Sequence, residues 1–449
     1  MTNNKTSMFQ TADGKNVFVT FALVSSLFLL WGFCNGMIDV MDKHFQQELH
    51  LSLAQSAWVQ FAHYLGYFLM ALPAGWLATK LGYKGGIIVG LLMVAVGGFW
   101  FIPATHIAQF WAFLLGVCFI AAGLTFLETV ANPYTTVLGP PQYAATRINL
   151  AQSCNGIGWI FGPIAGGMFF YSKDAAGAST GSQTLWIPYT AVAVVVVVLA
   201  VVFYFANVPD IKSDDVYHLD DPTAPAAARS IWTHPHFVMA VVAQFFYVAA
   251  QSGIFSFFIN YMTAEVPTIP ASWNTGMTAG WFEPNKAGLL ALSDKGAAYL
   301  ASLGFFCFLA GRFSGAAILR KYSPHKVLGL YGLLNVIVCG VVFLKLGWVS
   351  VAAVFLSYFF MSIMFPTIFA LGIHGLGARA KKASSYIVMA IMGGAIVPKL
   401  MGAVGDHYGM SRAFIVPLLC FGIVAFYGYN WSRFSKTDSL NGAAVGHGR

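Results

Sequence analysis

Charged residues are scarce in this sequence. Only 9% of its 449 residues are Asp, Glu, Lys or Arg, whereas 58% are hydrophobic, and the mean hydropathy is +0.70. Soluble globular domains carry about 25% charged residues. The formal net charge of +8 is spread thinly among apolar segments, which argues against a nucleic-acid-binding protein and indicates an integral membrane protein.

Patterns typical of metal sites and of nucleotide hydrolysis are also missing. The six cysteines form no CxxC or Cys/His spacing and are interpreted as small apolar side chains within helices. His63 and His374 have no partner spacing that suggests a metal. There is no GxxxxGK[ST] loop, so ATP does not supply energy, and we expect no cofactor.

Long apolar runs fill the rest of the chain. A helix needs about 20 apolar residues to cross the hydrocarbon, and the length and lack of alternation of these runs argue against barrel strands. We therefore predict an all-helical membrane protein with twelve transmembrane helices. They lie near residues 17–41, 53–79, 85–104, 108–138, 148–172, 185–206, 236–262, 297–319, 327–347, 350–374, 384–405 and 412–431.

Lysine and arginine indicate the orientation of these helices. Of the 24 such residues, sixteen fall on the side that holds both termini and six on the opposite side, with Arg312 and Lys399 inside spans. Because basic residues accumulate in cytoplasmic loops, both termini are predicted to be cytoplasmic.

The chain is predicted to consist of two six-helix halves, residues 1–206 and 236–449, joined by a polar cytoplasmic linker at 207–235. Gly75 and Gly315 close corresponding spans 240 positions apart. Pro133 and Pro366, each followed six residues later by a glycine, lie 233 apart. These matches agree in order, which indicates an internal repeat. The external loop at 263–296 holds tryptophans that either anchor it at the interface or form a lid.

Several segments carry a resemblance to a known family. GWLATKLGYK at 75–84 looks like the loop signature of the major facilitator superfamily, with Thr79 in place of the usual acidic residue. Within it, five strings are similar to the fucose:proton symporter family, which includes glucose/galactose and N-acetylglucosamine permeases. They are WGFCNGMID (31–39), FLETVANPYTTVLG (126–139), RINLAQSCN (147–155), HPHFVMAVVAQFFYVAAQ (234–251) and MSIMFPTIFALGIHGLG (361–377).

Glu128 is the clearest candidate for proton coupling. It lies deep in an apolar segment, where an ionised carboxylate costs roughly 2.5–3.5 kcal/mol and usually faces a functional cavity. The alternative is a neutral acid that only bonds a neighbouring helix. In the resembled family the matching glutamate is implicated in proton coupling.

Asp39 is a second acidic candidate. Its position near the outer end of the first span also fits a solvated helix end, but in the family this aspartate takes part in sugar recognition and protonation. Gly36 and Ile38 replace polar residues of the family pattern. We therefore expect a different sugar preference.

A sugar site needs groups that bond paired hydroxyls, together with an aromatic face. Gln152 and Asn155 lie three residues apart on one helix face and match family positions. Further candidates at apolar depth are Asn35, Gln244, Gln251 and the aromatic Phe365, which replaces a family tyrosine. The alternative for any single amide is a bond between helices.

Lys399 has no equivalent in the family pattern. It either snorkels to the outer surface, pairs with Asp39 or Glu128, or contacts an anionic substrate group. Arg312 is interpreted as a helix-packing residue.

Together these features predict a secondary active transporter rather than an enzyme. It would carry a neutral monosaccharide with protons across the bacterial cytoplasmic (inner) membrane by alternating access, as a monomer in the lipid bilayer without nucleic acid. Alternatives are a sodium-coupled glucose carrier, a carrier of anionic sugars and, from another class, a membrane-embedded glycosyltransferase. In the last case catalytic acids would be expected in the 263–296 loop, where Glu265, Glu283 and Asp294 show no ligand spacing.

Overall fold

The computed structural model describes most of the chain as helix. The described residues are 8–10, 14–139, 144–172, 180–208, 231–273, 280–285, 288–319, 322–374 and 380–435. Most of the predicted linker and parts of the 263–296 loop lie outside these ranges.

Seventeen α-helices and two short strands are present in the described ranges. The helices are α1 Phe18–Glu48, α2 Leu53–Ser56, α3 Trp58–Ile107, α4 Phe110–Val137, α5 Ala144–Phe169, α6 Gly181–Thr184, α7 Trp186–Phe205, α8 Pro235–Ser256, α9 Phe258–Glu265, α10 Asp294–Leu319, α11 Pro324–Phe343, α12 Trp348–Met361, α13 Met364–Ile373, α14 Ala380–Met389, α15 Gly393–Tyr408, α16 Met410–Ala413 and α17 Ile415–Ser435. Strands β1 (Phe282–Pro284) and β2 (Leu290–Leu292) pair antiparallel, with Glu283 opposite Ala291.

The helices follow the apolar runs of the sequence. Ten helical segments within the described residues are long and apolar enough to cross a membrane. The segments predicted as the second and fifth spans are also helical, within α3 and α5. Helices form because the hydrocarbon offers no partner for an unpaired backbone amide. The all-helical prediction is confirmed, and the small β1–β2 hairpin lies in the predicted external loop.

The longest helix, α3, contains a break between the predicted second and third spans. At Gly82 the backbone adopts φ 68° and ψ −177°, a conformation that only glycine adopts without strain. Helix α3 therefore consists of two helical arms that meet at Gly82. Two separate apolar runs in the sequence predict these two arms.

Other helices are interrupted where no break was predicted. Phe257 separates α8 from α9 with φ −98° and ψ 11°. Residues 362–363 separate α12 from α13, and a 3₁₀ turn at Ala390–Met392 separates α14 from α15. Such breaks release backbone groups from their helical partners.

The chain divides into two compact units. Unit 1 comprises Met1–Ile38 and Ala62–Asp214, and unit 2 comprises Asp39–Phe61 and Asp215–Arg449. The C-terminal end of α1 and the first residues of α3 thus belong to unit 2, although both precede the predicted boundary at 207–235. The order of residues along the chain does not predict that these two segments belong to unit 2, because the units are defined by tertiary packing.

Each unit contains very close helix approaches at glycine. In unit 1, a Cβ added to Gly158 would lie 2.1 Å from the carbonyl oxygen of Leu29, and one on Gly66 would lie 2.6 Å from that of Cys118. Small residues allow membrane helices to pack at such distances. In unit 2 the corresponding distances are 2.0 Å from Gly393 to the oxygen of Phe245 and 2.4 Å from Gly311 to that of Phe359.

The two tryptophans of the predicted external loop pack against helices of unit 2. The Trp281 ring lies 5.4 Å from Tyr299 of α10, and Trp273 lies 5.8 Å from Trp348 at the start of α12. Trp273 remains half exposed. These contacts favour the anchoring interpretation over a lid.

Candidate functional site

Tyr67 is the centre of a polar cluster in unit 1. The indole Nε1 of Trp31 donates a hydrogen bond of 2.6 Å to the Tyr67 hydroxyl. The side chain of Asn35 also bonds this phenol, and Glu128 is close enough to act on it electrostatically. Helices α1, α3 and α4 therefore bring two predicted site residues, Asn35 and Glu128, to one phenol.

The groups in this cluster retain unused hydrogen-bonding capacity. Asn35 is 8% exposed, and its Oδ1 has no hydrogen-bond partner. Glu128 is partly exposed rather than sealed. The accessible carboxyl group can take up and release a proton. The unpaired amide oxygen can accept a hydrogen bond from a sugar hydroxyl.

His63 forms the aromatic side of the same cluster. Its ring lies 5.0 Å from Tyr67 and 5.0 Å from Tyr64. It is 5% exposed, and its Nδ1 has no hydrogen-bond partner. From the sequence, His63 is considered only as a metal ligand, and it has no suitable partner. The structure places its ring against Tyr67, the phenol on which Glu128 acts electrostatically.

The predicted pair on α5 takes two different environments. Asn155 is buried, and its Nδ2 donates to the carbonyl oxygen of Phe28 at 3.3 Å. Gln152 is half buried on the same helix face. The Asn155 bond joins α5 to α1, so this amide has at least a structural role in unit 1.

In unit 2, Asp39 is held by a chain of polar side chains. Gln60 donates its Nε2–H to Oδ1 of Asp39 at 3.3 Å. The Ser252 hydroxyl donates towards Oε1 of Gln60 at 3.3 Å and towards the carbonyl oxygen of Gly394 at 3.2 Å. Asp39 is 7% exposed, so the alternative of a solvated helix end does not describe it.

A second aspartate lies one turn further along α1. Asp42 is fully buried. Asp39, Gln60 and Ser256 are the groups that face it. Of these two aspartates, only Asp39 is a candidate from the sequence.

The predicted residues of α8 lie in unit 2 beside an aromatic pair. Gln244 is completely buried, and both polar atoms of its amide lack partners, whereas Gln251, two turns later, is half buried. Tyr247 donates its hydroxyl to the carbonyl oxygen of Met361 at 3.0 Å and meets Phe365 edge to face at 6.3 Å. Phe365 remains partly exposed, as a stacking ring requires.

Lys399 lies on the exposed side of α15. Its side chain is exposed, and its ammonium lies 4.1 Å from the ring centroid of Trp58. No ion pair joins it to Asp39 or Glu128, all of which are described residues. This geometry favours the snorkelling alternative.

Arg312 joins two neighbouring helices. Its Nε donates to the carbonyl oxygen of Ser362 at 3.4 Å, and its guanidinium lies 4.8 Å from the Phe308 ring. Both contacts agree with the interpretation of Arg312 as a packing residue.

Sequence reasoning missed three central groups: Tyr67, Gln60 and Asp42. Tyr67 carries no signal, because an aromatic in an apolar span is usually a packing residue. Gln60 is an amide within the predicted second span. The criterion used for the other amides, a carboxamide at apolar depth, therefore also selects Gln60. Asp42 is found only by plotting α1 on a helical wheel. Residues three positions apart share a helix face, so Asp42 lies on the same face as Asp39.

Comparison with known proteins gives the family. The model of the Major Facilitator Superfamily matches residues 17–398. The L-fucose-proton symporter of Escherichia coli (strain K12) is 35% identical over 462 residues, covering 98% of this chain and 99% of that protein. A glucose/galactose transporter of Brucella abortus biovar 1 (strain 9-941) is 32% identical over 425 residues, covering 94% and 97%.

Solved structures agree with this result. The crystal structure of a single-substitution variant of the E. coli fucose:proton symporter is 34% identical, has a TM-score of 0.66 and covers 93% of this chain and 100% of that one. A D-xylose-proton symporter at 10% identity has a TM-score of 0.70 over 96% and 99% of the two chains and shares the fold. This chain is therefore a member of the Major Facilitator Superfamily.

Proposed function

We propose that this protein is a proton-coupled symporter that carries a neutral monosaccharide into the cytoplasm. Two relatives that match almost end to end are named as an L-fucose-proton symporter and a glucose/galactose transporter. The observation that carries the proposal is the placement of Glu128, a carboxyl group within an apolar helix, at the Trp31–Tyr67–Asn35 hydrogen-bonded cluster.

In this proposal Glu128 accepts and releases the coupled proton. A protonated carboxyl group is neutral, and neutrality lowers the cost of moving a loaded site through a state closed to water. Tyr67 and Asn35 position the carboxyl group. Asp39, held by Gln60, is the second acid of the coupling and sugar-recognition machinery.

Sugar binding is assigned to the amides and to the partly exposed ring of Phe365. Gln152, Asn35 and Gln251 present carboxamides, and Gln244 holds two unpaired amide atoms. Phe365 supplies the aromatic face for the C–H side of a sugar ring. Asn155 contributes by fixing α5 against α1.

Topology and location complete the proposal. We infer twelve spans in two six-helix halves, both termini in the cytoplasm, a monomeric assembly and the bacterial cytoplasmic membrane. The matching positions of Gly75 with Gly315 and of Pro133 with Pro366 in the sequence support a duplicated architecture.

Radiolabelled uptake into proteoliposomes tests the function. The purified chain would be given a panel of fucose, glucose, galactose and N-acetylglucosamine, with an imposed proton gradient, a sodium gradient or neither. We expect one or more of these sugars to accumulate only with the proton gradient. Accumulation of no sugar under either gradient would exclude symport, and accumulation driven by sodium alone would replace the proton as the driving ion.

A further inference from the structure

One segment of the chain packs in a unit to which its flanking residues do not belong. Residues Asp39–Phe61 group with unit 2, whereas the residues before and after them, up to Ile38 and from Ala62, group with unit 1. This Asp39–Phe61 segment comprises the C-terminal part of α1, all of α2 and the start of α3. The proton and sugar assignments do not explain what holds the segment on unit 2.

Asp406, near the C-terminal end of α15, binds the backbone of this segment directly. Its Oδ1 accepts a hydrogen bond from the N–H of Leu53 at 2.8 Å, and its Oδ2 accepts one from the N–H of Ala54 at 3.0 Å. Hydrogen bonds to an ionised acceptor are about twice as strong as neutral ones. Since Leu53 and Asp406 are 353 positions apart, this is a tertiary contact rather than a local cap.

The surface of α15 next to Asp406 leaves room for the backbone of the segment. Gly402 lies one turn before Asp406 on the same helix face, and a Cβ added to Gly402 would lie 2.7 Å from the carbonyl oxygen of Leu53. A Cβ added to Gly405 would lie 2.7 Å from Cδ1 of Leu53. The two glycines therefore allow the close approach that brings the Leu53 and Ala54 amides within reach of the carboxylate.

The two bonds of Asp406 lie where water can replace them. The Asp406 side chain is exposed, and Leu53 and Ala54 are partly exposed. Exchange of a protein hydrogen bond for a hydrogen bond to water has a small net cost, so both bonds can open without leaving a buried group unpaired. A contact of this kind is suited to form and break repeatedly.

The ends of the segment carry residues of the proposed coupling machinery. Asp39 is its first residue, and Gln60, which donates to Asp39 at 3.3 Å, is its last residue but one. Gln60 in turn accepts from Ser252 of α8, which is not part of the segment. When the segment leaves α15, Gln60 also leaves Ser252, so the surroundings of Asp39 depend on where the segment packs.

We propose that Asp406 is a latch, whose carboxylate holds the Asp39–Phe61 segment on α15 and releases it when water replaces the two bonds. Conformational changes in proteins use elements that have two discrete arrangements, and this segment is such an element. Its release as a step of sugar uptake rests on the proposed function. The opening of the latch does not, because it requires neither sugar nor a proton gradient.

Thiol labelling of the sugar-free protein tests the latch. Ser252→Cys is a nearly isosteric change at a position that is 1% exposed and is bonded to Gln60 of the segment. The purified full chain in detergent is treated with a polar maleimide, and peptide mass spectrometry follows labelling at residue 252 separately from the native cysteines. Because a buried thiol reacts only when local opening exposes it, the labelling rate reports the population of the released state.

Three substitutions are compared in the Ser252→Cys chain. Asp406→Ala removes both acceptors, and we expect labelling at residue 252 to become at least about fivefold faster. Asp406→Asn keeps one acceptor oxygen without the charge, and its labelling rate should lie between those of the parent and the alanine variant. His407→Gln is the matched control, because the neighbouring His407 is also exposed and its ring pairs with Tyr408; it should label at the parent rate.

A native cysteine in the same molecule separates release of the segment from general loosening. Cys420 of α17 is 3% exposed, and its labelling rate should be the same in all four chains. Unchanged labelling at residue 252 in folded Asp406→Ala and Asp406→Asn would exclude the latch. A parallel increase at Cys420 would also exclude it, because the substitution would then destabilise the whole unit. Failure of sugar accumulation in vesicles would refute the proposed function and leave the labelling result unchanged.

Discussion

Gln60 donates its Nε2–H to Oδ1 of Asp39 across 3.3 Å, although the two residues are 21 positions apart and lie on different helices. The same amide accepts from Ser252 on α8. One buried carboxamide thus connects three helices of unit 2 through the carboxyl group that we assign to coupling and sugar recognition.

Replacing Gln60 by Ala is expected to destabilise unit 2. Asp39 would lose its donor while remaining buried, and an unsatisfied buried polar group costs about 1–3 kcal/mol. Thermal unfolding in detergent measures this loss, and sugar counterflow in vesicles should weaken with it. Gln47→Ala is the matched control, because Gln47 also donates to an aspartate but is exposed; its effect should stay within about 0.5 kcal/mol. Equal effects of the two substitutions would contradict the assigned role of Gln60.

Glu128→Gln is expected to uncouple transport from the proton gradient. Glutamine keeps the size and polarity of the side chain but cannot release a proton. Concentrative uptake should fall to the level at which internal and external sugar are equal, whereas counterflow should persist in part. Glu283→Gln makes the same change in strand β1 and should retain accumulation. Full accumulation by Glu128→Gln would remove Glu128 from the coupling role.

Tyr67→Phe tests whether the phenol organises the cluster around Glu128. Without the hydroxyl, the Trp31 Nε1–H loses the acceptor that lies 2.6 Å away, at a cost of about 1–3 kcal/mol if it stays buried. We expect a lower unfolding temperature and a reduced accumulation ratio. Tyr204→Phe, at a 66% exposed position, should change neither. A wild-type accumulation ratio in Tyr67→Phe would show that Glu128 works without this neighbour.

Lys399→Gln should leave accumulation and sugar preference unchanged. The ammonium lies over Trp58 and contacts neither acid, so the variant loses a cation–π contact of about 0.5–1 kcal/mol at most. Uptake of neutral and anionic sugars by Lys399→Gln and Lys399→Arg provides the measurement. Loss of accumulation in the glutamine variant, but not in the arginine variant, would restore Lys399 as a charge partner of the site.

The helices could be predicted well because the membrane imposes a strict requirement on them. Apolar runs of about 20 residues must form helices, and Gly82 lies at the break in α3 between two such runs. The position of Glu128 as a single acidic residue within such an apolar run can also be recognised from the sequence. By contrast, Phe257 interrupts α8 and α9 without a proline or glycine at that position, so local sequence offers no reason to expect the break.

The partners of the candidate residues could not be predicted. Trp31 and Tyr67 are 36 positions apart, and Ser252 is 192 positions from Gln60. Their contacts depend on which helix faces meet, which apolar patterns do not specify when almost every face is apolar. For the same reason Lys399 could be placed within a span but not on its exposed face.

Gly158→Ala is expected to disrupt the packing that holds α5 against α1. The added Cβ would lie 2.1 Å from the oxygen of Leu29 and 2.6 Å from the nitrogen of Phe33, and both are backbone atoms that cannot rotate away. Overpacking of this kind costs about 1–3 kcal/mol. It should also displace Asn155, whose bond to the Phe28 oxygen crosses the same contact, so sugar binding should weaken together with thermal stability.

Gly422→Ala is the control for this substitution. Gly422 lies in α17, and a Cβ there meets no heavy atom within 4 Å. Alanine favours a helix over glycine by up to about 1 kcal/mol, so this variant should be neutral or slightly stabilised and should bind sugar normally. If Gly158→Ala unfolded at the same temperature as Gly422→Ala and kept its sugar affinity, the α1–α5 contact would not be the element that positions Asn155.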